Sequence, residues 1–336
     1  MKKTILTLTS FLLGASFAGS AFAGSGMSPD DHAPVSIMGD HTHKKGEFML
    51  SYRYMNMGME GIRSGSSESN LSEALTQYMA VPTEMTTQMQ MVGAMYGLTD
   101  SVTLTLMGTY YDKEMTITNR AGNTFERNTE GFGDTKIGAV SKIYSSDTST
   151  KRARNVDTLY LNTILSLPTG EFDVQDNGNS VGYPMRLGTG TFDPTLGLTY
   201  VGKRRGYSFG AQVMGTFRLY DNDDDFRQGN LYEANLWTQA RLNDAFSASF
   251  LLRGFRQDRV SGADPAVNSA MSFVFDPVAQ EREGIDIGTG INFTVPSGPL
   301  KGQRLAVEAT TPVYERINGY GLERDYRLTA GWQYAF

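Results

Sequence analysis

The last nine residues, LTAGWQYAF, alternate without a break. Leu328, Ala330, Trp332, Tyr334 and Phe336 fall on one side of an extended chain, and Thr329, Gly331 and Gln333 fall on the other. Successive side chains of a strand point to opposite faces, so this stretch has one apolar, aromatic face and one small, polar face. The same period recurs along the chain in twelve segments: 47–59, 84–98, 101–111, 132–144, 157–167, 192–202, 206–220, 230–243, 245–256, 284–296, 302–315 and 322–336. In 157–167, for example, Leu159, Leu161, Leu165 and Leu167 oppose Tyr160, Asn162 and Ser166.

Half-apolar segments of this length suit one environment in particular. A strand crossing a bilayer needs about 9–11 tilted residues with apolar and polar faces alternating. Lipid satisfies no backbone group, so the sheet must close on itself. The reading is an all-β, transmembrane antiparallel barrel of about 12 strands, of the bacterial outer-membrane type. The connections agree with it. Short turns at 98–101, 202–206, 242–244 and 296–302 and a basic connection at 145–155 alternate with longer polar loops near 60–83, 112–131, 168–191, 221–229 and 257–283. With an even strand number both ends of the barrel fall on the short-turn, periplasmic side.

Residues 1–23 read as a signal peptide, with Lys2 and Lys3, an apolar run, and a small-residue cleavage site at Ala21–Ala23. Residues 24–46 are polar and lack the strand pattern, and form a tail, a cap or a small plug ahead of the barrel at 47–336. The chain has no cysteine, which excludes a disulfide, a thiolate nucleophile and a lipid anchor on cysteine. Its 30 basic residues are outnumbered by 36 acidic ones, which argues against nucleic acid as a partner.

Parity assigns the lumen. In the first strand Phe48, Leu50, Tyr52 and Tyr54 face lipid. Arg53 would cost about 2–4 kcal/mol on that face at the midplane, so it turns inward and takes Met55, Met57 and Met59 with it. In the second strand Met89, Met91 and Met95 face in if Val92, Tyr96 and Leu98 face lipid; the opposite register leaves Gln88 and Gln90 inside instead. Met107 and Met214 face in on later strands. Trp237 narrows the passage, and Lys136, Arg218, Arg241, Arg253, Asp286, Arg304, Glu308 and Arg327 give it charge. Thirteen of the 17 methionines lie within residues 27–115. Thioethers pack an irregular lumen, offer an adaptable apolar slide, or ligate soft Cu(I). All three roles stay open, with lumen packing leading.

The three histidines, His32, His41 and His43, all precede the first strand. His41 and His43 share a face of an extended segment, beside Asp40 and near Met38, and with Met55, Met57 and Met59 they make the candidate metal set. Copper is the cofactor this set would take. With histidine confined to that segment, the sequence argues against a hydrolase triad on the barrel. Asp134, Asp286 and Glu308 alternate inward near Lys136, Arg304 and Arg327 as paired charges lining a polar interior. The chain is read as no enzyme.

Several stretches resemble the outer-membrane family called "MetA-pathway of phenol degradation", whose members are otherwise described as transporters: YGLTDSVTL (96–104), GFGDTKIGA (131–139), LSLPTGEFD (165–173), RLGTGTFDPTLGLTY (186–200), TTPVYERINGYGLERDY (310–326) and the terminal GWQYAF. The amino stretch at 38–61 looks like a methionine- and histidine-rich branch of it. The resemblance implies a barrel with a transport role and no catalytic residues. The expected partners are outer-membrane lipid, a small-molecule or metal solute, and the barrel-assembly machinery, reached through the strand ending at Phe336.

Overall fold

The structure, a computed structural model, describes residues 28–146 and 155–336. The signal peptide assigned to 1–23 and the middle of the basic 145–155 connection lie outside the described residues. The ring is built from β1 (Phe48–Gly65), β2 (Ala80–Thr99), β3 (Val102–Asn119), β4 (Thr135–Ser145), β5 (Val156–Leu167), β6 (Asp193–Arg204), β7 (Tyr207–Thr216), β8 (Leu231–Arg241), β9 (Phe246–Gln257), β10 (Arg282–Thr294) and β11 (Arg304–Ala335). Each pairs antiparallel with the next along the chain, and β11 pairs antiparallel with β1.

That closure carries a parity condition. In a ring whose neighbours are all antiparallel, the number of chain passes must be even. Eleven elements meet the condition because the last one doubles back. Residues 304–317 pair with β10, and 317–335 pair with β1. Between the arms lies Asn318–Gly319, with Gly319 at φ +91°, a backbone that glycine adopts without cost. Thr311 Oγ1 donates across the arms to the Asp325 carbonyl at 3.1 Å. The ring therefore has twelve passes, as the alternation predicts. Its seam ends on reciprocal bonds, Phe48 N to Phe336 O at 2.9 Å and Phe336 N to Phe48 O at 2.8 Å.

Large apolar side chains stand exposed around the outside, among them Leu50, Tyr52, Leu104, Leu106, Val213, Ile285 and Ile291. Their inward neighbours are buried and polar, such as Thr103, Asn162, Gln212 and Asn292. This is the inverse of a water-soluble sandwich, and it is what hydrocarbon requires. The open register of β2 resolves the same way: Val92, Tyr96 and Leu98 are exposed, whereas Met85 is buried. Gln88 and Gln90 then lie outside, where they are not left bare. Tyr54 donates its hydroxyl to Gln88 at 2.9 Å and Tyr52 to Gln90 at 3.3 Å.

Three expectations change. The strands at the long-loop end run further than predicted, β1 to Gly65 and β3 to Asn119. Eighteen residues tilted at about 40° rise about 45 Å, against roughly 30 Å of hydrocarbon, so these ends project beyond the bilayer. The segment at 206–220 stops as a strand at Thr216. Phe217 N already bonds to the Pro194 carbonyl there, and Arg218 turns to Asp193. Finally, the long loops read as polar hold an apolar cluster of their own. A short helix, α1 (Leu71–Gln77), capped by Asn70, joins segments around Met185 and Phe273 in an apolar cluster with Ile62, Tyr78, Val81, Met85, Met115 and Leu322. This cluster covers the long-loop end of the ring.

Candidate functional site

Residues 28–46 fill the other end. The chain enters through an antiparallel bracket to β2, with Gly46 N to Gly97 O at 2.8 Å and Gly97 N to Glu47 O at 2.9 Å. It then crosses the lumen and is held from several sides. His43 N donates to Thr103 Oγ1 on β3 at 2.8 Å, Gln212 Nε2 on β7 to the Met38 carbonyl at 2.7 Å, and Ser208 Oγ to the Asp30 carbonyl at 2.7 Å. Ser247 Oγ on β9 reaches the Pro29 carbonyl at 2.8 Å, and Arg304 Nη2 on β11 reaches the Ala33 carbonyl at 2.7 Å. Between these bonds Ala33 and Ile37 pack with Val140, Tyr160, Val201, Trp237 and Leu251, and Met95 lies against the same cluster. The segment is polar in sequence because most of its partners are the polar inward face of a barrel.

Within it, a tight turn brings the histidines together. Asp40 Oδ2 accepts from Ala33 N at 2.7 Å, and its Oδ1 meets His41 Nδ1 at 2.7 Å. The His41 ring lies 4.6 Å from that of His32 and 5.0 Å from that of His43, both edge-on. His32, Asp40 and His41 each offer a ligand atom within 4.8 Å of the others. Burial holds His32 well below its ordinary pKa, and the neighbouring His41 adds to this. Burial, again with His41, brings His43 down to about 4. Burial opposes ionisation of Asp40, yet the charge and hydrogen bond of His41 hold its carboxyl well below the usual range. The group is thus a carboxylate among imidazoles.

The structure divides the predicted metal set. Met38, Asp40 and His41 line one cavity of about 40 Å³ with Met49, Arg53, Met95 and Met107, and His43 adjoins His41. Met55, Met57 and Met59 do not join them, because they sit further along β1 toward the long-loop end. Met59 packs against the apolar cluster there, and Met55 pairs with Met89 on β2. His32 belongs to the cluster instead. Its distance from His41 in sequence hid it, and the intervening Asp40 turn was the only available signal.

Most predicted lumen residues do face inward. Arg53 Nη1 approaches Met91 Sδ at 4.0 Å, Met107 and Trp237 are buried, and Met214 lies against Gly197. A chain of ion pairs lines the wall toward the long-loop end: Arg253 to Glu233 at 2.6 Å and to Asp286 at 2.9 Å, then Arg324 to Asp286 at 2.9 Å and to Glu315 at 2.8 Å. Arg218 holds Asp193 at 2.5 Å, with Lys136 near both. Glu308 lies by Ser36 of the inserted segment and between Arg304 and Arg327. Arg241 is a correction. It stands at the short-turn rim, on Asp244 at 2.5 Å and the Asn243 carbonyl, where the turn supplies closer acceptors than the lumen does. Two residues escaped the sequence reading. Buried Arg186, between Asp264 and Asp224 and over the Phe226 ring, ties the long loops together, and Lys113 Nζ bonds to the Pro184 and Arg186 carbonyls.

A closed antiparallel ring with an apolar outside and a charged, partly filled inside is a transmembrane barrel of the bacterial outer-membrane type. The chain belongs to the family described as "MetA-pathway of phenol degradation", which matches residues 67–308. An outer membrane channel from Pseudomonas putida F1 superposes with a TM-score of 0.62 at 15% identity, over 88% of this chain and 98% of that one. The NanC porin (TM-score 0.42, 8% identity, 83% and 98% covered) and the transport unit of the autotransporter AIDA-I from Escherichia coli (0.45, 9%, 88% and 91%) are more distant. No curated protein sequence matches the chain.

Proposed function

We propose that the barrel passes a small polar or ionised solute down its gradient, and that residues 28–46 are the plug that keeps the passage shut. The observation that carries this is the inner wall. Apart from the methionines of β1 to β3 and the group of Val140, Tyr160, Val201, Trp237 and Leu251, its inward side chains are mostly polar, and the Arg253–Glu233–Asp286–Arg324–Glu315 ion pairs line it. A wholly apolar solute would have to strip water from those charges, whereas a polar one exchanges water for them. Twelve strands about 4.8 Å apart and tilted about 40° enclose a backbone radius of about 12 Å. Inward side chains take roughly half of that, which leaves room for one small molecule once the plug is out. The methionines of β1 to β3 line one side and the ion pairs the other, so a solute with an apolar body and one charged end fits best.

The terminal strand supports the assembly role expected from sequence: its last residue, Phe336, makes the final bonds of the seam and packs edge-on against Phe48 at 5.4 Å. The test of transport is single-channel recording in planar bilayers, comparing the full chain with a variant lacking residues 28–46. The expected result is rare openings for the full chain and a steady ionic current for the deletion. A correctly folded deletion variant that carries no current overturns the proposal.

A further inference from the structure

We propose that His32 and His41, held beside Asp40 with His43 adjoining, bind one late first-row transition-metal ion, of the copper or zinc class, inside the barrel. Three independent observations converge on it. The first is unmet hydrogen bonding: His32 Nδ1, His41 Nε2 and His43 Nε2 are all buried with no partner. One such nitrogen is uncommon in a protein interior, and a pair on the edge-on rings of His32 and His41, whose ligand atoms lie within 4.8 Å of each other, calls for something that accepts both lone pairs. The second is orientation. Both Asp40 oxygens are engaged, one by Ala33 N and one by His41 Nδ1. That fixes the His41 tautomer with Nε2 bare, the arrangement in which a carboxylate aims a metal-binding imidazole. Asp40 is therefore a positioning residue, and the imidazoles are the ligands.

The third is room. Beside His41 the cavity of about 40 Å³ is walled by Met38, Met49, Met95 and Met107, which leaves room for water or a thioether to complete the coordination. Imidazoles with thioethers nearby suit copper or zinc, whereas calcium and magnesium prefer oxygen donors. Approach is provided by the wall: the β1–β2 register sets Met55 opposite Met89, Arg53 opposite Met91 and Met49 opposite Met95, so thioethers line the way to the cavity. An ion shared by His32 and His41 ties the two limbs of the inserted turn together, so metal binding and seating of the plug reinforce each other.

The test is calorimetric titration of the detergent-purified, metal-stripped full chain with Cu²⁺ and, separately, Zn²⁺, with electron paramagnetic resonance of the copper form. The expected result is one ion per chain for at least one of the metals, with imidazole nitrogen coupling in the copper spectrum if copper binds. His32→Ala and His41→Ala each weaken binding about 100-fold or more, Asp40→Asn weakens it by about 10–100-fold, and Met55→Leu with Met57→Leu leaves it unchanged. Heat-dependent gel mobility verifies that each variant is a closed barrel. Failure of the full chain to bind either ion overturns the proposal, and so does binding that survives His32→Ala combined with His41→Ala. The measurement involves no flux, so its failure leaves the transport reading standing.

Discussion

Gly39 is where the plug is easiest to dislodge without touching the wall. Its φ is +75°, and a Cβ built there would lie 1.9 Å from Asn162 Oδ1. Asn162 has nowhere to retreat, being 1% exposed and bonded through Nδ2 to Thr199 Oγ1 at 2.8 Å. Gly39→Ala therefore meets two costs at once. An L-residue in the left-handed region costs about 1–2 kcal/mol, and forcing a methyl into a filled interior costs about 1–3 kcal/mol. Together they weaken seating by about 2–5 kcal/mol, and about 3 kcal/mol shifts the ratio of unseated to seated plug by about 100-fold. The barrel does not depend on this contact, since its strands are bonded to one another. Bilayer recordings of Gly39→Ala should show the open fraction rising by that factor, with unitary conductance equal to that of the protein lacking residues 28–46. An open fraction indistinguishable from that of the parent protein, in a variant that folds, would refute the claim that this segment closes the lumen.

Acid should act on the same equilibrium in metal-free protein. An unseated histidine takes up its proton near 6.5, whereas the seated His43, facing His41, Asp40 and Glu47, does so at about 4. Its contribution to seating is complete above 6.5 and is lost as pH falls toward 4, so at pH 5 the unseated fraction rises about 30-fold; a conductance flat between pH 7.5 and 4.5 would contradict this. Among the ion pairs, Arg253→Ala removes the hydrogen-bonded partner of Glu233, leaving Lys136 and Arg327 as its neighbouring cations, while Arg324 still holds Asp286. The loss is about 1.5–3 kcal/mol, the range for a hydrogen bond to a charged group, and urea unfolding in lipid vesicles within 0.5 kcal/mol of the parent would be the contrary result.

Much of the wall was legible because its rule has period two and one violation is expensive. Arg53 alone fixes the face of every methionine on β1, and Leu104 and Leu106 fix Met107. β2 was ambiguous because Gln88 and Gln90 stand on the lipid face, and the phenols of Tyr54 and Tyr52 that satisfy them lie on another strand. The same limit hid the plug. Nothing local in 28–46 tells a solvated tail from a segment whose bonds go to Thr103, Gln212, Ser247 and Arg304, because each partner is remote in sequence. His32 was missed for that reason, and Met55, Met57 and Met59 were grouped with the histidines only because they are close along the chain. The polar loops misled in the opposite way: Val181, Met185, Phe273 and Val274 are scattered among polar residues, and they cohere only once the ring brings their loops to one end.

The bracket between Gly46 and Gly97 fixes what happens after the passage opens. Because the stopper is continuous with β1, release does not let it diffuse away. Fully extended, residues 28–46 reach about 60 Å from that anchor, which confines them to a volume where their local concentration stays near the millimolar range. Reclosure is then a first-order event, independent of how many copies the membrane holds, and each molecule resets itself after every opening.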